Sequence, residues 1–518
     1  MRITFLGHAG FCVETSEAIV VTDPWLSPTG AFDSSWFQFP RNHDLDEYVI
    51  HMLSDRPKDR YLYISHEHRD HLDLEFLERV AGCGFTVLIP EFRRPHLEAV
   101  FSDYDCRDVI VCKDGDDIPI TGGSVRVYVD DSELNRDSAI LVRGDGHTFL
   151  DLNDCRIADA LPLIRRQEGV VDVFTCQFSG AGWHPTCYSY GRREYEAIAA
   201  RKKLSKFRGV MHAIRALGSR LYVPSAGPPC FLDPSLAHLN FEPLNIFPSA
   251  QEFLSYLDVH CVGTTTSWAE VAPGDVIDAS SCSVIERGGH HVESADYESY
   301  ISQYMKSYEE FFASREGDGV MAADCDVLSM LERCLAAKLE AMPLRDRIGV
   351  PFIFLLTDIG AGVRVDFGAG TVEQVFGFRD ESYYAISARS SEVAKVLIGA
   401  MTWDEFSLSF RMKLDRKPDV YNTLLQGFIR LEPEDLKALC DRIIGIEDAQ
   451  ERIEVSVGTR RYIVNRYCPH QGGDLARGWI EEDRFLTCPR HQWQFDLCNG
   501  GEARMNDGNI YAVPLDED

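Results

Sequence analysis

Basic residues are scarce in this chain: 52 Lys and Arg stand against 82 Asp and Glu over 518 positions, a formal charge of -30. A field of that sign repels phosphate backbones and anionic lipid, which excludes nucleic acid and membrane as bulk partners but leaves room for one local basic pocket. No apolar run is long enough to span a bilayer. The opening Met1-Arg2-Ile3-Thr4-Phe5-Leu6-Gly7 moves straight into strand-like sequence without a secretory leader, which predicts a cytoplasmic protein. No Cys-x-x-Cys pair occurs among 16 cysteines, so they read as cytosolic thiols rather than a disulfide framework. Most of them, Cys83, Cys176 and Cys261 for instance, lie in apolar stretches and read as core residues; two do not. What remains is an ordinary globular composition, 45% hydrophobic and 26% charged, in a chain long enough for two or three domains.

The densest chemistry is Ser65-His66-Glu67-His68-Arg69-Asp70-His71, which follows the apolar run Tyr61-Leu62-Tyr63-Ile64, a buried strand by pattern. His66 and His68 can point one way while Asp70 and His71 turn to the other side, which suits two metal ions in one cradle. A solvated polar loop is the alternative reading. Upstream, short alternating runs around Phe5, Val13 and Val20 predict an antiparallel start that ends in Asp23-Pro24-Trp25-Leu26.

With its Gly7-His8-Ala9 turn, its Asp-Pro-Trp and its His loop, the stretch 1–250 resembles the metallo-β-lactamase superfamily. The resemblance implies an αββα sandwich and gives Asp23 the task of steadying the metal loop by hydrogen bonds. A turn residue before Pro24 is the plainer reading of Asp23. A helix is expected at 72–80, a strand at 86–90, a hairpin of 125–129 with 139–142, and a strand at 148–152 that delivers Asn153-Asp154. The resemblance makes Asp154 the bridge between two metals and a catalytic candidate; a cap for the helix that follows is the alternative.

This chain departs from the family twice. No His stands in the loop before strand 148–152, which offers Asp131, Glu133 and Asp137 instead, and Glu133 and Asp137 are taken as the ligands. Carboxylate in place of imidazole makes the site harder and favours iron or manganese over zinc. Some oxygen-activating members of the superfamily also use a carboxylate there. The position of the family's last His ligand matches Ala226, so one metal lacks a ligand unless His184 or His238 replaces it; a missing ligand would open a coordination position for oxygen or substrate or abolish the second metal, and His184 is the catalytic candidate at the site's rim. A hydrogen-bonded surface imidazole is the alternative for His184.

Residues 251–440 carry no legible chemistry and are expected to form an α+β domain of strands at 352–356, 363–367 and 383–387 with a helix at 391–400. A dimerisation module or a sterol-carrier-like fold both suit that order. Tyr297, Ile301, Tyr304, Tyr308 and Phe311 recur at helical spacing and read as core, and His290-His291 as a solvated loop pair.

The last segment, 441–518, holds Cys468-Pro469-His470 and Cys488-Pro489-Arg490-His491. One Cys and one His from each of two loops is the ligand pattern of a Rieske 2Fe-2S centre, with Cys468 and Cys488 on one iron and His470 and His491 on the other. Gln492-Trp493-Gln494-Phe495-Asp496 resembles the segment that follows the second loop in Rieske domains. A Cys2His2 zinc site is the structural alternative. Neither loop has the additional Cys of respiratory Rieske proteins, so the resemblance is to the oxygenase and ferredoxin type, a small all-β domain.

A hydrolase needs Lewis-acid metals and no electrons, so a cluster in the same chain predicts redox use of the first site. The combination resembles the CMP-N-acetylneuraminate hydroxylases, although those carry the Rieske domain at the N-terminus. Gln177-Phe178-Ser179-Gly180-Ala181 and Asn153-Asp154 carry the likeness. The resemblance implies a monooxygenase or hydroxylase with one or two non-haem irons and dioxygen. Its substrate would be small and polar, held near His184 and residues 225–240, with electrons from NAD(P)H through a ferredoxin or flavin reductase. A homo-oligomer is compatible with the chain. A metal hydrolase with a redox-sensing Rieske domain is the rival reading, and an electron carrier the third.

Overall fold

Short alternating runs separated by glycine or polar pairs build the first sheet, and continuous apolar runs mark where it becomes parallel and covered on both faces. The computed structural model describes residues 1–54, 57–316 and 326–515. Strands β1 (Arg2–Gly7), β2 (Gly10–Glu14) and β3 (Ala18–Thr22) form an antiparallel meander, continued in parallel by β4 (Asp59–Tyr63), β5 (Thr86–Pro90) and β6 (Asp108–Cys112). A second sheet begins with the antiparallel β7 (Asp117–Ile120), β8 (Gly123–Asp131), β9 (Arg136–Gly144) and β10 (His147–Asp151). It adds β11 (Val173–Gln177), β12 (Leu221–Ser225) and β13 (Ser267–Trp268) in parallel. Finally β14 (Val276–Asp278) and β15 (Ser283–Glu286) return to the first sheet beside β1.

Three apolar layers follow. Phe11, Val20, Val127, Val142 and Phe149 fill the space between the sheets. Val49, Leu53, Phe76 and Leu77 bury helices against the first sheet, and Ile164, Phe207, Met211, Ile214 and Phe253 do the same on the second. This is the expected αββα sandwich. The helix Arg192–Leu217 buries Ile198, Phe207, Val210, Met211, Ile214 and Leu217, spacings that keep one stripe inward. Asp73 caps the helix Leu74–Val80 by accepting from Phe76 N at 3.0 Å, and its other oxygen holds the amides of Leu26 and Ser27 at 2.9 and 2.7 Å.

The chain forms two compact units: Met1–Asp131, Asn135–Ala181 and Glu196–Glu310 in the first, and Ser132–Leu134, Gly182–Tyr195 and Phe311–Asp518 in the second. The division expected at residue 250 runs through the first unit, because β13 to β15 complete both of its sheets. Helix Tyr297–Lys306 belongs there too: Tyr304 and Tyr308 pack on Phe37 with ring centroids 6.5 and 5.0 Å apart, the core role expected of that aromatic stripe. His290 and His291 are engaged by Asp44 at 3.0 Å and Asp275 at 2.8 Å.

In the second unit, β16 (Phe352–Leu356), β17 (Ala361–Asp366), β18 (Thr371–Val375), β19 (Tyr383–Ala388) and β20 (Met412–Lys417) form one sheet in the order β18-β17-β16-β19-β20, with helices that include Val327–Glu340 and Ser390–Leu397. The C-terminal part is all-β. A three-stranded sheet of β21 (Arg452–Val457), β22 (Arg460–Asn465) and β27 (Ala512–Pro514) accompanies a four-stranded sheet of β23 (Trp479–Glu481), β24 (Phe485–Thr487), β25 (Gln494–Asp496) and β26 (Glu502–Ala503). Among the described residues no helix is long and apolar enough to cross a membrane.

Candidate metal centres

In the first unit the His loop leaves β4 and is fixed at once by Asp23, which follows β3 and lies fully buried. The Asp23 carboxylate accepts from Ser65 N at 2.8 Å and Ser65 Oγ at 2.6 Å, and faces His71 Nδ1 at 2.9 Å. This is the steadying role the resemblance implied, and it has a chemical consequence. With the proton of His71 on Nδ1, Nε2 presents its lone pair to the site. His71 Nε2 lies 3.9 Å from both Asp70 Oδ2 and Asp154 Oδ2, and among the described residues neither it nor Asp70 Oδ1 has a hydrogen-bond partner although both are buried.

Two sets of donors converge on that nitrogen: His66, His71 and Asp154, and His8, Asp70 and His71. Within each set the donor atoms lie within 4.8 Å of one another. His68 Nδ1 is 2.8 Å from His66 Nε2, and Asp137 Oδ1 is 3.3 Å from His66 Nδ1. His66, His68, Asp70, His71, Asp137 and Asp154 are therefore brought to one place.

Charge is as crowded as geometry. Burial, reinforced by the charge of Asp154, pushes the Asp137 carboxyl well above the carboxylate range, and burial with Asp23 does the same to Asp151. Burial drives His66 well below the ordinary imidazole value, with His71 and His68 adding to it. Burial alone would lower His71 too, but the carboxylates of Asp70 and Asp23 outweigh it and raise it. Buried acids that repel one another around a buried ring nitrogen with no hydrogen-bond partner among the described residues are the donor set of a cation, which would take the place of the proton, so the residues fit a metal. Several non-glycine residues at this end of the sandwich hold left-handed backbone, among them His8 (φ 49°), Asp23 (φ 38°), Asn153 (φ 41°) and Ala226 (φ 51°). Such conformations persist where the surroundings over-determine them.

Asp154 is oriented from outside. Gln177 Nε2 donates to its Oδ1 at 2.6 Å, and Lys206 Nζ donates to Gln177 Oε1 at 2.6 Å. Burial, then the charge of Arg156, brings the Lys206 amine down to about 7. Gln177 belongs to the hydroxylase-like run in the sequence. Lys206, one of several cations on a long helix, gave no signal.

Three expectations change. The hairpin extends further than its apolar pattern: β8 and β9 pair through Asp130 with Asp137 and Asp131 with Arg136, leaving 132–135 as the turn. Asp137 is thus a strand residue beside His66. Glu133 sits at the turn with φ 61° and belongs to the second unit, where its Oε2 accepts from Arg442 Nε at 2.7 Å; an ion pair, rather than a metal, answers its charge. Asp131 accepts from Arg93 N at 2.6 Å. His184, expected at the rim as a replacement ligand, is also a residue of the second unit. Its Nε2 is 3.0 Å from Tyr190 Oη and its ring lies edge-on to Tyr188, because 182–195 folds back on β20 through Ser189 N to Leu414 O at 2.9 Å. His238 is exposed on a short 3-10 turn. The residue that sequence reasoning missed is His8, which was read only as part of a turn.

The Rieske-type centre forms on two loops of the second unit. The first closes with Cys468 N to Gly473 O and Gly472 N to Cys468 O, both 2.9 Å; the second with Cys488 N to Trp493 O at 2.8 Å. These bonds set the two thiols side by side and the rings of His470 and His491 at 4.7 Å. Burial and the neighbouring Cys488 push the Cys468 thiol well up. A Cβ on Gly473 would come within 2.9 Å of Cys488 Sγ, so only glycine leaves this cradle open. Trp493 stacks on His470 at 4.4 Å, and Tyr421 Oη lies 3.2 Å from His470 Nε2. Two thiols and two imidazoles from two loops fit a 2Fe-2S cluster.

Comparison with known proteins agrees with both halves. Residues 2–150 match the beta-lactamase superfamily domain, and residues 441–509 match the Rieske [2Fe-2S] domain. A chain of Mycolicibacterium smegmatis named as a Rieske 2Fe-2S iron-sulfur protein is 28% identical over 96% of this chain and 97% of its own length. The cytidine monophosphate-N-acetylneuraminic acid hydroxylase of Xenopus laevis is 22% identical over 85% of this chain and 74% of its own. Among solved structures, CmlA, a diiron β-hydroxylase from Streptomyces venezuelae, is similar at 18% identity and a TM-score of 0.35, over 52% of each chain. The chain joins an N-terminal lactamase-fold domain to a C-terminal Rieske domain.

Proposed function

We propose that this protein is an iron-dependent oxygenase, a hydroxylase of a small polar substrate, whose Rieske domain supplies electrons one at a time from an external reductase. The observation that carries the reading is the pairing, in one chain, of a carboxylate-rich His/Asp cradle with a Cys2His2 cluster site. The relationship to a hydroxylase supports it. Iron, if bound by His66, His68, Asp70, His71, Asp137 and Asp154, would supply reductive activation of dioxygen, and the harder carboxylate donors favour it over zinc.

The chain's own residues set the conditions for that chemistry. Asp23 keeps the His71 proton on Nδ1 and so aims Nε2 inward. Lys206 fixes the Gln177 amide by donating to Oε1; the Gln177 NH2 must then donate to Asp154 Oδ1, which leaves Asp154 Oδ2 turned to His71. Once a metal displaces their protons, Asp70, Asp137 and Asp154 would offset its positive charge, and neutral imidazoles would keep the site reducible. In the second unit Tyr421 occupies His470 Nε2, so iron would be held through Nδ1.

The test is metal content and oxygen uptake of protein purified without air. Expected are iron beyond the two atoms of one cluster, and dioxygen consumption that requires both reductant and substrate. Zinc alone in the first unit, with turnover equal in air and under argon, would establish the hydrolase reading instead.

A further inference from the structure

His8 lies on the turn between β1 and β2, far in sequence from the metal loop, and no resemblance assigned it a role. Gly7 precedes it with φ 110°, a conformation glycine adopts freely, and Asn42 Nδ2 clamps the turn by donating to Leu6 O at 2.7 Å and Trp25 O at 3.0 Å. A side chain on Gly7 would strike that amide at 2.6 Å. The turn holds the His8 ring edge-on to Trp25 at 5.2 Å and to His71 at 5.5 Å, with 8% of the residue exposed. His8 Nε2 ends 3.1 Å from Asp70 Oδ2.

We infer that His8 is the third protein ligand of the metal held by Asp70 and His71, in place of the imidazole missing at position 226. The inference rests on the metal-centre reading above. Three observations carry it. Donor atoms of His8, Asp70 and His71 lie within 4.8 Å of one another, and His71 Nε2 and Asp70 Oδ1 are buried polar atoms without a hydrogen-bond partner among the described residues. Two ligands each about 2.1 Å from one ion stand about 3.0 to 3.4 Å apart at right or tetrahedral angles, the separation seen for His8 and Asp70. The third concerns place: the backbone N–H of Ala226 donates to the carbonyl of His8 at 2.8 Å, so the turn that bears His8 is bonded to the position the family fills with His. An imidazole from the first turn thus arrives where β12 ends without one. Nothing comparable supports His184 or His238.

The test counts cobalt(II) bound by full-length protein after chelation of the first unit, with cluster iron measured separately and cobalt–imidazole nitrogen couplings read by pulsed EPR. Wild type should bind two ions. His8→Ala and His8→Gln should both bind the weaker ion at least 100-fold less tightly and lose one set of imidazole couplings, with the cluster spectrum unchanged. Gln decides the matter because it can still hydrogen-bond Asp70 but brings no imidazole. Two ions at wild-type affinity in His8→Gln would overturn the inference and leave the two-metal reading standing. A wild type that takes only one ion would defeat that reading itself.

Discussion

The two metal-binding regions are built by opposite means. The Rieske-type centre is local: its ligands lie within 468–491, on two loops closed by short-range backbone bonds, and glycine provides the space. The lactamase-type site is assembled from the ends of β1, β4, β9 and β10, with candidate donors between positions 8 and 154, and its outer hydrogen bonds come from Asp23, Gln177 and Lys206. A local site depends on a few turns being right. A distributed one depends on the register of both sheets, and it can be tuned from residues that never touch metal.

Substitutions that should leave one region intact while disabling the other give the sharpest form of that contrast. Cys468→Ser removes a cluster ligand: reductant-driven oxygen uptake should fall by at least about 100-fold and two irons should be lost, while the other centre keeps its metal. Undiminished uptake in that variant would break the proposed electron route. Asp23→Asn withdraws the support of His71 and should lower metal affinity of the first unit about 10- to 100-fold with an unaltered cluster spectrum. In the hairpin's acidic stretch, Asp137→Asn should weaken metal binding and Glu133→Gln should not, because Arg442 answers Glu133; full metal affinity in Asp137→Asn would overturn the assignment of Asp137, and a loss in Glu133→Gln would overturn the exclusion of Glu133.

Smaller effects probe how each region handles buried polarity. Tyr421→Phe removes the hydrogen bond at His470 Nε2, worth about 1 kcal/mol. The cluster midpoint potential should therefore move by about 40 mV, since a tenfold change is about 59 mV for one electron. A potential that stays put would mean the hydroxyl is incidental. The last effect is on stability rather than turnover and concerns Lys338, a buried cation of the second unit. Its Nζ donates to the carbonyls of Phe428 and Ile429 at 3.2 and 3.0 Å and sits 4.6 Å from the Trp403 ring centre. Burial lowers its amine to about 8. Between about 8 and the unfolded value of 10.5 the unfolded chain binds the extra proton, so stability should rise with pH through that window. Lys338→Met should flatten the rise in a denaturant titration at pH 8 and pH 10; an unchanged slope would assign it to other groups.

Much of this was legible before any coordinates. The sandwich and the Rieske domain follow from short-range pattern, and the His loop, Asp154 and the four Cys and His of the last segment stand out as candidate ligands the same way, because buried strands, tight turns and closely spaced donors are written in neighbouring residues. Glu133 and Asp137 could not be separated that way. Both are acids in a polar run, and only the pairing of Asp137 with Asp130 makes one a strand residue beside His66 while the other meets Arg442. His184 was misplaced for a related reason: its segment follows β11 in sequence but packs on β20.

The sequence by itself determined which kinds of donor the protein owns and that one set is a cluster site, since thiolate, imidazole and carboxylate carry their chemistry wherever they lie. Tertiary structure alone decided which acid meets the histidines, that Lys206 sets Asp154 through Gln177, and that His8 stands at Asp70. Those facts depend on contacts between residues tens to hundreds of positions apart, fixed by sheet register and packing, and no local pattern of side chains encodes that register.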